Sequence, residues 1–233
     1  MKKIWFLGYF LLLLSGCSSH YVKNYEAQKE SINEPNLGMQ TKAFVGESIL
    51  KQGQLTRSDV LHFDKETNIK GLVFYKIYAG DYLKVGEEGN DNYYSLQEMR
   101  SGLVVQKSGS AAVPAAIKTF QDKPGIVCIP YEWGGGPMLC QKEVDYSTRT
   151  ITFLNNNDYE QEIIYLGKSG NKLSFQYRLK IGNGHSTSSE SYQFEHSLSD
   201  SSIVQYKGAE IKVITANSSN IEYVIVKGLN SIQ

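Results

Sequence analysis

The 233-residue chain carries 24 basic and 24 acidic residues and has no formal net charge at pH 7. So balanced a chain offers no basic field to hold nucleic acid, which is excluded as a partner. Sixteen Tyr, nine Phe and 21 Gly against only five Pro suit a β-rich globular protein.

The chain opens with Lys2 and Lys3, followed by the apolar stretch Ile4–Leu14 and then Ser15, Gly16 and Cys17. A basic head, a short apolar run and small residues before a cut form a secretory signal. As a helix, eleven residues rise only about 16 Å, roughly half a hydrocarbon core, so the run is too short to span. The alternative is an ordinary N-terminal helix. Leu14-Ser15-Gly16-Cys17 resembles the lipobox of bacterial lipoproteins. That resemblance implies removal of residues 1–16, diacylglyceryl on the Cys17 thiol and acylation (palmitate and its kin) of the new amino terminus. Two or three acyl chains anchor firmly where one is marginal. Enterobacterial members kept in the inner membrane have Asp after the cysteine, so Ser18 implies an outer-membrane address facing the periplasm. Losing Lys2 and Lys3 leaves 22 basic against 24 acidic residues.

Residues 17–37 are mostly polar and end near Pro35, which predicts a lipidated tether with too little apolar surface to fold. The β-rich domain is expected over 38–230, with a division into two subdomains near 120–140. Short runs rich in Val, Ile, Tyr, Phe and Thr predict strands at Ala43–Lys51, Asp59–Phe63, Gly71–Ala79, Asp81–Gly86 and Leu103–Lys107. Weak helical periodicity predicts short helices at Ser95–Arg100 and Ala111–Gln121. Further strands are expected at Ile126–Pro130, Lys142–Asp145, Thr148–Leu154 and Tyr159–Gly167. Lys172–Ile181 alternates apolar and polar over ten residues, the cleanest strand in the chain. Ser191–Ser197, Ile203–Tyr206, Ala209–Thr215 and Ile221–Lys227 follow, with hairpin turns at Lys168–Asn171, Lys207-Gly208 and Asn217–Asn220. The whole reads as all-β: an antiparallel meander, sandwich or barrel, its last seven strands a meander from about Glu143. Phrases such as Ile164-Tyr165-Leu166-Gly167-Lys168-Ser169-Gly170 and Lys207-Gly208-Ala209-Glu210-Ile211 resemble uncharacterised proteobacterial lipoproteins over roughly 80 residues. The likeness implies a shared fold and no activity.

Three cysteines occur. With Cys17 taken by lipid, Cys128 and Cys140 form an even pair in an oxidising compartment, which predicts one disulfide. Two separate buried thiols are the alternative. Between them lies Tyr131-Glu132-Trp133-Gly134-Gly135-Gly136-Pro137, whose Tyr131 and Trp133 are candidates for a partner contact. They could equally cover the core. The glycine run lacks the following Lys-Ser/Thr of a phosphate loop.

Of the four histidines, His62 is paired two residues on with Asp64, the same face of a strand, but two groups do not make a metal site. His185 lies in Ser-rich loop composition with no nucleophile elbow around it. His20 falls in the tether. The acidic and amide-rich turns Glu87–Asn92 and Asn155–Asp158 lack calcium-loop spacing. No metal and no cofactor is expected. These readings predict a non-enzymatic lipid-anchored envelope protein that binds or stiffens an assembly with another envelope protein. The second expectation is a carrier or sensor of a small apolar ligand such as a lipid.

Overall fold

A computed structural model describes residues 23–70, 74–108, 113–130, 138–183 and 186–232. These described residues form eighteen β-strands and no helix. The expected all-β antiparallel architecture is what the chain adopts.

One long strand organises it. Strand β3 (Ser48–Phe63) runs 16 residues and is paired on both edges. Along one edge lie β13 (Tyr159–Ser169), opposite Ser48–Gln54, and then β12 (Ser147–Phe153), opposite Thr56–His62. Along the other lie β1 (Gln28–Glu34), opposite Lys51–Arg57, and β6 (Gly80–Glu88), opposite Val60–Phe63. The sheet continues outward through β7 (Asp91–Glu98), β9 (Ile117–Phe120), β10 (Val127–Ile129) and β11 (Leu139–Gln141) on the β6 side. On the β13 side it continues through β14 (Lys172–Asn183) and β15 (Ser186–Ser197).

Two smaller sheets cover the two halves of this sheet. β2 (Gln40–Phe44), β16 (Ile203–Tyr206), β17 (Ala209–Ala216) and β18 (Asn220–Lys227) pair in the order β16-β17-β18-β2. Their apolar face (Val204, Ile211, Val213, Ile221, Tyr223, Ile225) packs on Ile49, Leu50, Ile163, Tyr165, Leu173, Phe175 and Tyr177. β4 (Thr67–Lys70), β5 (Phe74–Ile77) and β8 (Gln106–Lys107) form the other cover. There Ile69, Tyr75, Ile77 and Val105 meet Leu61, Phe63, Tyr82, Tyr94, Ile117, Val127 and Ile129. The chain thus builds two cores on one shared sheet, and β3 passes from one to the other. Each buried large side chain contributes about 1.5–3 kcal/mol by area, which is what holds the covers down.

Several expectations need correction. The two cores do not divide near 120–140, because Val127 and Ile129 are fully buried inside the second core. The division falls at the polar middle of β3 and at the break Leu154–Asp158 between β12 and β13. The two expected helices are absent: Asp91–Glu98 and Ile117–Phe120 are neighbouring strands of the large sheet. Their weak helical spacing is overridden because Tyr94 and Ile117 face one core while backbone pairing fixes the register. Lys142–Asp145 is not a strand; β11 stops at Gln141. Ala43–Lys51 is broken at Val45–Glu47, where the chain leaves one sheet for the other. Within the expected tether, Gln28–Glu34 forms strand β1. β1 buries almost no apolar surface, yet its backbone fills the edge of β3 beyond the point where β6 diverges. Composition counts apolar area; here main-chain hydrogen bonding does the ordering.

The hairpins fall where turn chemistry predicts. Lys207 and Gly208 both have positive φ (46° and 87°), the geometry a two-residue hairpin of matching twist requires. The seven C-terminal strands exist, split between two sheets rather than forming one meander.

Candidate functional site

Cys17, His20, Tyr131, Trp133 and His185 lie outside the described residues, as do the lipobox and the glycine run.

Cys128 and Cys140 are joined by a disulfide, their Cα atoms 4.0 Å apart. They sit directly opposite each other in the β10–β11 pairing. β11 is only three residues long and forms the outer edge of the sheet, so the bond pins a strand too short to hold itself. Closing a loop of this length is worth about 3 kcal/mol in the chain-entropy treatment.

His62 and Asp64 do approach, with Nε2 3.1 Å from Asp64 Oδ1. The other ring nitrogen, Nδ1, is 2.8 Å from Oδ1 of Asp81, which is nearly fully buried. Arg149 Nη2 donates to both Asp81 oxygens, at 2.7 and 2.9 Å. Strand register explains the meeting: His62 pairs with Asp81 on β6 and with Ser147 on β12, two residues before Arg149. Asp81's backbone N–H donates to Glu98 Oε1, whose other oxygen accepts from Arg100 N, Ser101 N and Ser101 Oγ. Burial works to raise the Glu98 pKa, but these four donors overcome it and hold the carboxyl below its ordinary value. No group of three or more metal-ligating side chains occurs among the described residues. The cluster is a structural brace between β3, β6 and β12.

A second charged junction sits where the two cores meet. Asp158, at 0 % exposure, accepts from Thr56 Oγ1 (2.5 Å) on β3 and from Asn155 N (2.8 Å), and is paired with Lys29 on β1. Burial pushes its pKa up, but Lys29, Thr56 and Asn155 together bring it below the usual carboxylate range. Next to it, Glu160 is held by Lys180 (2.6 Å) and Lys51 (2.9 Å). Its carboxyl too stays below the ordinary value despite burial.

Among the described residues, surface clefts of about 290, 310 and 320 Å³ lie around Arg149, Lys207 and Lys142 respectively. Charged and polar side chains supply most of their walls, which suit water and polar groups better than an acyl chain.

The feature with most unsatisfied potential is the outer edge of β15. This strand pairs with β14 over all twelve residues without a bulge and, among the described residues, has no strand on its other side. Ser186–Gln193 are exposed on both faces. Proteins blunt long free edges with Lys, Pro, bulges or short length. Edge strands β11, β16 and β2 are short (three, four and five residues), but β15 reads Ser-Thr-Ser-Ser-Glu-Ser-Tyr-Gln-Phe-Glu-His-Ser, with no Lys, Arg or Pro. It carries two carboxylates, Glu190 and Glu195. Its base is fixed by the stack of Phe194 on Tyr206, 3.9 Å between ring centres. Sequence reasoning placed only Ser191–Ser197 in a strand. The Ser/Thr run before it has loop composition, and only the β14 pairing turns it into strand.

No protein-family model, no curated protein and no solved structure matches the chain. The lipobox resemblance therefore rests on its own four residues, and the site is read from geometry alone.

Proposed function

We propose that the chain is a non-enzymatic, lipid-anchored protein of the bacterial outer membrane that binds another envelope protein by accepting one of its extended segments along β15. The observation that carries the binding half is the long free edge: twelve residues of regular strand, exposed over Ser186–Gln193 and without Lys, Arg or Pro. Strand addition uses main-chain hydrogen bonds for affinity and side-chain pockets for choice. With Glu190 and Glu195 and no cation on β15, the complementary strand is neutral to basic. The anchoring half is supported by the signal-like residues 1–16 and the lipobox-like Leu14–Cys17. A carrier of an apolar ligand would need an enclosed apolar cavity of several hundred Å³, and the polar clefts around Arg149, Lys142 and Lys207 give that reading no support.

The test is a photo-crosslinking residue placed at Ser191 in intact envelopes, alone and combined with Ser189→Lys. Both sites are exposed, so the melting temperature is expected to stay where it is. One discrete heavier adduct is expected, and Ser189→Lys is expected to remove it by opposing a neutral or basic strand. An adduct that survives the lysine, or no adduct at all, would contradict strand addition at this edge.

A further inference from the structure

Asn24, near the start of the described residues, is bonded beside the β6–β7 turn, whereas β15 lies beyond the opposite edge of β3. We infer that the β1 and β6–β7 side of the large sheet is held against the lipid headgroup layer, with β15 turned away from the bilayer. This rests on the reading of Cys17 as the lipid-bearing residue.

Side-chain and backbone hydrogen bonds fix the N-terminal segment of the described residues on the β6–β7 hairpin. Asn24 Nδ2 donates to the carbonyl of Glu87 (3.0 Å), and its Oδ1 accepts from Glu87 N (2.9 Å). Tyr25 N donates to Val85 O (3.2 Å), and its hydroxyl accepts from Asp59 N (3.0 Å). The Lys84 ammonium lies 5.0 Å from the centre of the Tyr25 ring. From there Gln28–Glu34 pairs residue by residue with Arg57–Lys51, and Lys29 is tied to Asp158. The strap fills the wedge that opens where β6 leaves β3.

The free leash is therefore not the twenty or so residues that composition predicts. Only residues 18–23 separate Cys17 from Asn24, and a fully extended chain covers at most about 3.6 Å per residue, so Asn24 stays within roughly 25 Å of the lipid glycerol. A leash running to Leu37 would reach roughly 70 Å by the same measure. Asn24 is bonded to Glu87 beside the β6–β7 turn, and Gln121 N donates to Asn90 O (2.8 Å), joining the β9–β10 turn to the same spot. These turns are held near the headgroups. β13, β14 and β15 leave from the other edge of β3, which puts β15 about 14 Å beyond it at ordinary strand spacing. The open edge thus faces the compartment in which a partner protein would meet it.

The experiment uses the full-length lipidated protein in phosphatidylethanolamine/phosphatidylglycerol vesicles with an acceptor dye on the headgroups. Donor dyes are placed singly at Asn90→Cys and at Ser191→Cys, both exposed. Energy transfer is expected to be several-fold stronger from position 90, and a twenty-residue Gly/Ser insertion between Ser19 and His20 is expected to erase the difference. Equal or weaker transfer from position 90 in palmitate-labelled protein would overturn the orientation alone. Absence of palmitate label would overturn the anchor reading with it.

Discussion

Replacing Asp158 by Ala is expected to destabilise the fold by about 3 kcal/mol at pH 7, the low end of what removing one partner of a buried pair costs. The side chain of Lys29 is 46 % exposed and can return to water, so the loss comes mainly from elsewhere. Thr56 Oγ1, nearly fully buried, and Asn155 N lose their acceptor at the break that lets β12 and β13 share one edge of β3. The pH dependence has a definite sign. Asp158 titrates lower in the folded chain than in the unfolded one, so its contribution is full above about pH 4 and is lost as pH falls through the folded value. Urea denaturation at pH 7 and at pH 3 should show the gap between wild type and Asp158→Ala narrow on acidification. A gap that is constant or grows would mean that the carboxylate is not what holds this junction.

Gly53→Ala is expected to cost about 3 kcal/mol, the upper end of the usual overpacking range. Gly53 lies in β3 between Ile32 of β1 and Glu160 of β13. A Cβ there would sit 2.2 Å from the Tyr159 carbonyl oxygen and 3.0 Å from the Glu160 Cα. Both are backbone, so no rotamer change relieves the clash and β13 itself must move. Gly89→Ala is the contrast: space is open around it, and only its φ of 58° opposes the substitution, at about 1 kcal/mol. Thermal melts of the two variants should separate clearly. Equal melting temperatures would show that the β3–β13 contact is looser than described.

Much of the fold was legible where each residue faces one way. Leu173, Phe175 and Tyr177 alternate with Ser174, Gln176 and Arg178, and β14 follows that pattern as predicted. The disulfide was legible by counting, since two cysteines remain once Cys17 is set aside. The middle of β3 was not. Gln52–Ser58 falls outside the expected strands because it is polar, but it continues β3 in pairing with its neighbours and its side chains find partners: Gln52 Nε2 donates to Leu229 O (2.9 Å), and Thr56 to Asp158. β1 was missed for a related reason, as it contributes backbone rather than apolar area. His62 and Asp64 were visible as a pair, whereas Asp81 and Arg149 join them only through strand register. The free edge of β15 was half visible, because Ser and Thr favour loops until a neighbouring strand supplies the pairing. In each case the missing information is a long-range backbone contact, which local pattern does not carry.

The proposed anchor, short leash and outward-facing edge all depend on lipid at Cys17. Incorporation of radiolabelled palmitate into the intact protein and into Cys17→Ser, both expressed in a bacterial host, tests it directly. Label is expected in the first, and in the second an unlabelled, uncut precursor that still carries residues 1–16. Label of equal strength in Cys17→Ser, or none in either protein, would contradict it.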